Sequence, residues 1–330
     1  MQFNKKFLEL DAARETDRIV EFMQQTVRRG MRRYGGVVGI SGGIDSAVVL
    51  GLAVRAFGPQ NVVAVMMPDK DSDQLSEKLA RELAAKFGVE PRLEDITGSL
   101  EGFRCYQRRD DAIRRVVPHY DPAKGYKAKI VLPQDLLEEG TLNVFSVTVV
   151  APDGSEVNKP LPPREMLEIV AATNLKQRSR MSTLYFHAEA RQYAVIGTAN
   201  KNEHAQGFFV KYGDGGVDIQ PIAHLFKSQI YQLAKYLGVP EGIQTRTPTT
   251  DTYSAPQNQE EFFFRLPYQT LDLIWFALEN KIPAAEVARG MNLGEDQVQR
   301  VFDDIVRKQR TTEFLRMQPP VMPSPQAGKL

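Results

Sequence analysis

Val37-Val38-Gly39-Ile40-Ser41-Gly42-Gly43-Ile44-Asp45-Ser46-Ala47-Val48-Val49 decides the fold. An apolar run typical of a buried strand ends in a loop of small residues, and a helical pattern follows at once. Gly42 and Gly43 let the backbone turn tightly and approach a ligand with no Cβ in the way. The amides beyond them open a helix, and a helix N-terminus is a ready anion site. Ser41 and Ser46 add hydroxyls. Asp45 adds a carboxylate that would repel phosphate unless a cation lay between, which points to a polyphosphate held with Mg2+.

Two commoner glycine loops do not fit. A Walker A loop ends in Gly-Lys-Ser/Thr, where this chain has Asp45-Ser46 and no lysine. A dinucleotide fingerprint needs G-x-G-x-x-G, and Gly39-Ile40-Ser41-Gly42-Gly43-Ile44 has another spacing. The remaining pattern, Ser-Gly-Gly-x-Asp-Ser, resembles the pyrophosphate loop of the N-type ATP pyrophosphatases. That resemblance implies cleavage of ATP to AMP and pyrophosphate through an acyl-adenylate.

Outward from the loop, strands and helices alternate. Residues 11–33 place Ile19, Phe22, Met23, Val27 and Met31 at helical spacing, with Asp11 as N-cap and Arg28, Arg29, Arg32 and Arg33 as a solvated face. The helix after the loop runs to Phe57, before Gly58-Pro59. Asn61 to Met67 reads as a buried strand, Ser72 to Phe87 as a helix with Leu75, Leu79 and Leu83 inward, and Val89 to Ile96 as another strand. This rhythm predicts an α/β fold with a doubly wound, mostly parallel sheet, and ligands beyond the carboxyl ends of its strands. Residues 98–163 break the rhythm with a basic cluster (Arg104, Arg108, Arg109, Arg114, Arg115), a strand from Leu142 to Val150 and an Asp153-Gly154 hairpin turn. The arginines read as a solvated face, with substrate phosphates as the alternative. A helix from Arg164 towards Gln192, a strand from Ala194 to Thr198 and a helix from Lys227 to Leu237 follow. Four glycines within 207–216 mark a shaped loop. The expected organisation is a single domain over 1–330, with 98–163 an inserted subdomain or lid and 258–330 a helical extension.

Bulk properties set some classes aside. Lys+Arg 42 against Asp+Glu 41 leaves no basic excess for nucleic acid. One cysteine, Cys105, cannot form an intramolecular disulfide and suits a reducing compartment. No segment reaches the roughly 20 apolar residues of a membrane span, and Met1-Gln2-Phe3-Asn4-Lys5-Lys6 leads into a charged helix. A cytoplasmic protein without membrane contact is expected.

Five stretches, in order, make the resemblance specific: the loop at 41–46, Asn174 to Met181, Gly197 to Glu203, Gly207 to Asp218, and Pro248-Thr249. Together they resemble the ammonia-dependent NAD synthetases, over about residues 15–96 and 170–310. The resemblance implies a Rossmann-like fold of the adenine nucleotide α-hydrolase type, usually a homodimer. It also implies amidation of nicotinic acid adenine dinucleotide (deamido-NAD) to NAD+ with ammonia, free or from a separate glutaminase. Carried over by position, Gly39, Ile40, Ser41, Gly42, Gly43, Ile44, Asp45 and Ser46 would cradle ATP, with Thr198, Lys227 and Thr249 as further ATP contacts. Asp45 and Glu203 would hold magnesium and, with Lys227, form the catalytic set. Arg178, Lys211, Asp218, Arg307 and Lys308 would contact deamido-NAD.

Some features depart from that pattern. The segment at 98–163 is longer than usual, Met66-Met67-Pro68 lacks an arginine often found there, and Arg307-Lys308-Gln309-Arg310 stands where His-Lys-Arg is common. A relative acting on another carboxylic acid therefore stays open. Each residue also has a plainer reading: Asp45 as a helix cap, Glu203 and Lys227 as surface charges, Arg178 as one of a charged helix face with Lys176 and Arg180, and Asp218 as a turn residue. His204 lacks a second histidine at ligand spacing and reads as structural. Ala284 to Arg310 has the pattern of a helix-turn-helix, a nucleic-acid binder's signature, but Glu295, Asp296, Asp303 and Asp304 spoil a basic recognition surface.

Overall fold

The computed structural model describes residues 3–131, 136–137, 145–247, 253–255 and 263–322. After a 3-10 turn at Lys5–Leu8, α1 (Ala12–Met23) starts at Asp11, whose side chain accepts from the Arg14 N–H, and continues as a π-helical run over Gln24–Gly30. Then come β1 (Gly36–Gly39), α2 (Ile44–Phe57), β2 (Val62–Met66), α3 (Gln74–Lys86), β3 (Pro91–Leu93), α4 (Thr97–Gly102) and α5 (Cys105–Val116). The next elements are β4 (Lys127–Val131), β5 (Ser146–Val150), β6 (Glu156–Pro160), α6 (Pro163–Glu189) and β7 (Ala194–Val195). Helices complete the chain: α7 (Lys201–Gln206), α8 (Lys227–Leu237), α9 (Glu241–Gln244), α10 (Tyr268–Glu279), α11 (Ala284–Met291), α12 (Glu295–Thr311) and α13 (Glu313–Arg316).

The main sheet has order β3-β2-β1-β7 with every pair parallel. Gly36 lies opposite both Val62 and Ala194, and a parallel bridge from Ile196 to Ile219 prolongs the β7 edge. Alternate residues face opposite ways along a strand. Val38, Ala64 and Ala194 therefore join a core with α1, α2, α3 and α8, while Val37, Val65 and Val195 pack towards α4, α5 and α6. Both faces are covered, as the continuous apolar runs predict. The carboxyl edge of β1, β2 and β7 is left facing the loops that follow them.

Several expectations need correction. Phe22 is 46% exposed and Leu75 48%, so neither belongs to its helix's buried stripe. The buried stripe runs through Ile19, Met23 and Val27, which leaves Phe22 to one side of it. The strand expected over Val89 to Ile96 is confined to Pro91–Leu93. In the strand expected from Leu142, residues 146–150 are extended, and 142–144 lie outside the described residues. The Asp153-Gly154 turn does join β5 to β6, with Gly154 at φ 84°.

Residues 98–163 build α5 and an antiparallel sheet of order β4-β5-β6, whose apolar face packs with Ile113, Val117, Tyr120 and Ile169. Arg104, Arg108, Arg114 and Arg115 are exposed, as expected, but Arg109 is buried between Asp71 and Asp110 at 2.5 and 2.9 Å. Cys105 is buried, donates to the Ala172 carbonyl, and has its pKa pushed up by burial. The helix-turn-helix pattern does form two helices, α11 and α12, with Asn292 in the left-handed turn between them. Its apolar face (Val287, Val298, Val301, Ile305) is spent inside the molecule against α10.

Candidate active site

The loop after β1 is braced by its own hydroxyls. Ser46 Oγ donates to the Gly43 carbonyl at 3.0 Å, and the Ser41 N–H donates to Ser46 Oγ at 3.4 Å. Gly42 has φ +71°, and a Cβ there would stand 2.6 Å from the Ser76 carbonyl oxygen, so α3 packs directly onto the loop. Only glycine meets both conditions. Gly43 is the N-cap of α2 and has no side chain to bond the helix's first amides, which leaves them for an anion.

Asp45, in the first turn of α2, links three elements. One carboxylate oxygen takes the Lys227 ammonium from the first position of α8, and the other accepts from Asn200 Nδ2 at 2.9 Å. Asn200 is the N-cap of α7: its side chain accepts from the Glu203 N–H, and its own N–H donates to Glu203 Oε2 at 3.1 Å. Such reciprocal capping fixes the first turn of a short helix. Asn200 and Lys227 are fully buried. Glu203 lines a cleft and is largely enclosed by protein. That enclosure and the Asp45 charge raise its pKa to about 8. For Lys227, burial favours the neutral amine, but Asp45 and Glu203 outweigh it and the pKa is raised.

The cleft has a volume of about 1580 Å3. Gly39, Ile40, Ser41, Gly43, Ile44, Asp45, Ser46, Thr198, Glu203 and Lys227 line it, as do Arg178, Lys211, Arg307 and Lys308. Gly42 turns away onto α3. Asp218 is not on the cleft: its carboxylate accepts from the Val195 N–H at 2.7 Å and from the Tyr185 hydroxyl at 3.1 Å. Thr249 lies outside the described residues. Lys211 Nζ donates to the Phe314 and Met317 carbonyls at 2.9 and 3.2 Å. Arg307 and Lys308 both pair with Asp304, and burial lowers the pKa of Lys308. His204 stacks on Phe209 at 5.7 Å.

Three features of the site escape sequence reasoning. Asn200 stands inside a quoted motif, and its Asn-x-x-Glu spacing is a capping signal, yet nothing local shows that its amide reaches Asp45. Lys176 and Arg180, read as alternatives for one charged helix face, do not form one. Lys176 is 1% exposed and bonds Asp69 and Asp71 at 3.1 and 2.8 Å; Arg180 bonds Asp69 and the Met67 carbonyl at 3.1 and 3.2 Å. The end of β2, which lacks an arginine of its own, thus receives a guanidinium from α6. Asp304 is the third.

Among the described residues no group of three His, Cys, Asp or Glu is placed to hold a metal. Asp45 and Glu203 nevertheless suit Mg2+, which takes one or two carboxylates and fills its shell with water and phosphate oxygens. Glu203 resists ionisation beside Asp45, a tension that a divalent cation would relieve.

The sequence profile of the family described as NAD synthase matches residues 15–116 and 150–319. Over 317 residues the chain is 49% identical to a Rhizobium meliloti protein named NH(3)-dependent NAD(+) synthetase, covering 96% of this chain and 94% of that one. A Thermotoga maritima protein of the same name is 36% identical over 261 residues, 79% of this chain and 85% of that one. Among solved structures, the NH3-dependent NAD synthetase of Campylobacter jejuni matches with TM-score 0.61 and 24% identity over 95% of this chain and all 100% of its own. The NMN synthetase of Francisella tularensis matches with TM-score 0.65 and 21% identity, over 95% and 99%. At these identities the two structures speak for the fold.

Proposed function

Because the chain belongs to the NAD synthase family, we propose that it amidates deamido-NAD to NAD+ with ammonia, turning ATP into AMP and pyrophosphate. The observation that carries the site assignment is the hydrogen-bonded chain Lys227–Asp45–Asn200–Glu203, which gathers the ends of three elements around uncapped helix amides.

In the first step a carboxylate oxygen of the acid bonds to the α-phosphorus of ATP while the bond to pyrophosphate breaks. Both partners are anionic, so positioning and charge neutralisation dominate. Helix amides around Ser41 to Ser46 and the Lys227 ammonium receive the leaving pyrophosphate. The amides alone contribute about 0.3–1 kcal/mol, or ~2 when sheltered, against the ~8 kcal/mol at the low end of enzymatic acceleration. Lys227 must therefore share the task. Mg2+ held by Asp45 and Glu203 would supply further neutralisation of phosphate charge. In the second step the ammonia lone pair attacks the acyl carbon, the C–O bond to AMP breaks, and a proton leaves the nitrogen. No protein nucleophile is required.

Arg178, Lys211, Arg307 and Lys308 line the same cleft and would contact the dinucleotide there. Residues 98–163 serve as a wall of the same cleft, through Phe145. A cytoplasmic location is part of the proposal and is supported by the single buried free thiol; among the described residues no helix is long and apolar enough to cross a membrane. A homodimer is supported by Leu167 and Phe186, which leave α6 62% and 65% exposed.

The test is pyrophosphate release with ATP, Mg2+, ammonia and a varied acid. Deamido-NAD should give turnover with equal amounts of NAD+ and AMP. Turnover with another acid and none with deamido-NAD would refute the substrate while keeping the reaction.

A further inference from the structure

Asp272 is fully buried on α10, a helix on which the sequence singles out no residue. Its Oδ1 accepts from Asn202 Nδ2 at 2.6 Å, and its Oδ2 accepts from the Ser228 N–H at 2.8 Å. Asn202 Oδ1 in turn accepts from the Lys227 N–H at 3.0 Å. Lys227 and Ser228 are the first two residues of α8, whose amides lack partners within the helix. A helix this important to a site would ordinarily start at Ser, Thr, Asp or Asn. Here Phe226 occupies the N-cap and has no side-chain oxygen.

The missing cap is supplied from outside. Asn202, beside Glu203 on α7, caps the Lys227 amide, and Asp272 caps the Ser228 amide while holding Asn202 in register. A carboxylate is suited to this place: it accepts from both donors, and its negative charge sits at the positive end of the helix. An amide there would turn an NH2 group against one of them. Burial raises the Asp272 pKa to about 6, so it is ionised at neutral pH.

Resting on the reading that ATP is bound by Lys227 and the loop at 41–46, we propose that Asp272 is a positioning residue. Through Asn202 and the first turn of α8 it sets where Lys227 meets the ATP phosphates and where Glu203 stands beside Asp45. Asp272 touches no substrate. Its effect falls on ATP, because its hydrogen bonds go to α7 and α8 and not to α6, α12 or the loop at 207–216, which would carry the dinucleotide contacts.

Steady-state kinetics of Asp272→Asn with each substrate varied in turn provide the test. The expected result is a KM for ATP raised about tenfold or more, or an equal fall in kcat, with the KM for deamido-NAD within twofold of wild type. Asn202→Ala removes the acceptor of the Lys227 N–H and the link to Asp272, and should repeat the ATP-selective loss; it carries the test if Asp272→Asn does not fold. Wild-type kinetics in a folded variant, or a parallel rise in both KM values with a lowered melting point, would overturn the proposal by making Asp272 dispensable or merely structural. Wild-type protein that releases no pyrophosphate with any acid would instead refute the functional reading, and this inference with it.

Discussion

Asp45 serves Lys227 with one oxygen and Asn200 with the other, so its removal unties two catalytic elements at once. Asp45→Asn keeps the volume but turns an NH2 group towards a cation or a donor. Its kcat should fall by about 100-fold or more, the scale on which single preorganised electrostatic groups act. Its magnesium requirement should rise in a titration of rate against Mg2+, and unchanged kinetics would remove the metal role. Gly42 makes a different demand. With φ +71° and the Ser76 carbonyl oxygen 2.6 Å from where a Cβ would stand, Gly42→Ala must strain the loop and push α3 away. Urea unfolding should show a loss of about 1–3 kcal/mol, together with lower activity. The loop was legible from its residues because its function depends on local backbone. Asn200 was not, because its partner Asp45 is distant in the chain and only the parallel sheet brings the two together.

At the scale of elements, a buried ion network joins the end of β2 to α5 and α6. Lys176 Nζ lies between Asp69 and Asp71, and Arg109 reaches Asp71 at 2.5 Å. Removing one member leaves the others uncompensated, which typically costs about 3–5 kcal/mol. Lys176→Met should show a loss of that size in urea unfolding at pH 7. Its pH dependence has a defined sign. Burial favours the neutral form of Asp71, but Lys176 and Arg109 overcome it and hold its pKa below the ordinary aspartate value of 3.8. A depressed acid stabilises the fold fully above its unfolded pKa and progressively less as pH falls towards the folded one. The gap between wild type and Lys176→Met should therefore narrow below about pH 4; a gap that widened there would contradict the assignment. Helix spacing alone could not reveal this network. Arg109 looks like its solvated neighbours until Asp71, on another loop, is placed beside it. The same limit applies to Phe22: helical spacing alone does not say that the core meets this helix along Ile19, Met23 and Val27 and leaves Phe22 out.

For the whole molecule, the parallel sheet and its carboxyl-edge cleft followed from apolar runs punctuated by glycine, because burial on both faces leaves a strong compositional trace. The segment 98–163 left no such trace of purpose. Its β4, and β5 as far as Val149, fall between the two stretches matched by the family profile, as does Phe145, which reaches the cleft wall. Phe145→Ala should raise the KM of a substrate by about threefold or more with kcat nearly unchanged, the signature of uniform binding lost. Association is also a property at this scale. Sedimentation should give twice the 37.1 kDa of the chain, and Phe186→Asp should shift it towards the monomer.

Adenylation of the acid in this cleft is the claim on which the rest stands, and oxygen tracing tests it most directly. Deamido-NAD labelled with 18O in its nicotinate carboxylate is incubated with the enzyme, ATP, Mg2+ and ammonia, and the products are weighed by mass spectrometry. If the carboxylate attacks the α-phosphorus, one labelled oxygen stays with AMP when ammonia displaces it, and pyrophosphate is unlabelled. Unlabelled AMP, or label released in inorganic phosphate, would contradict that route.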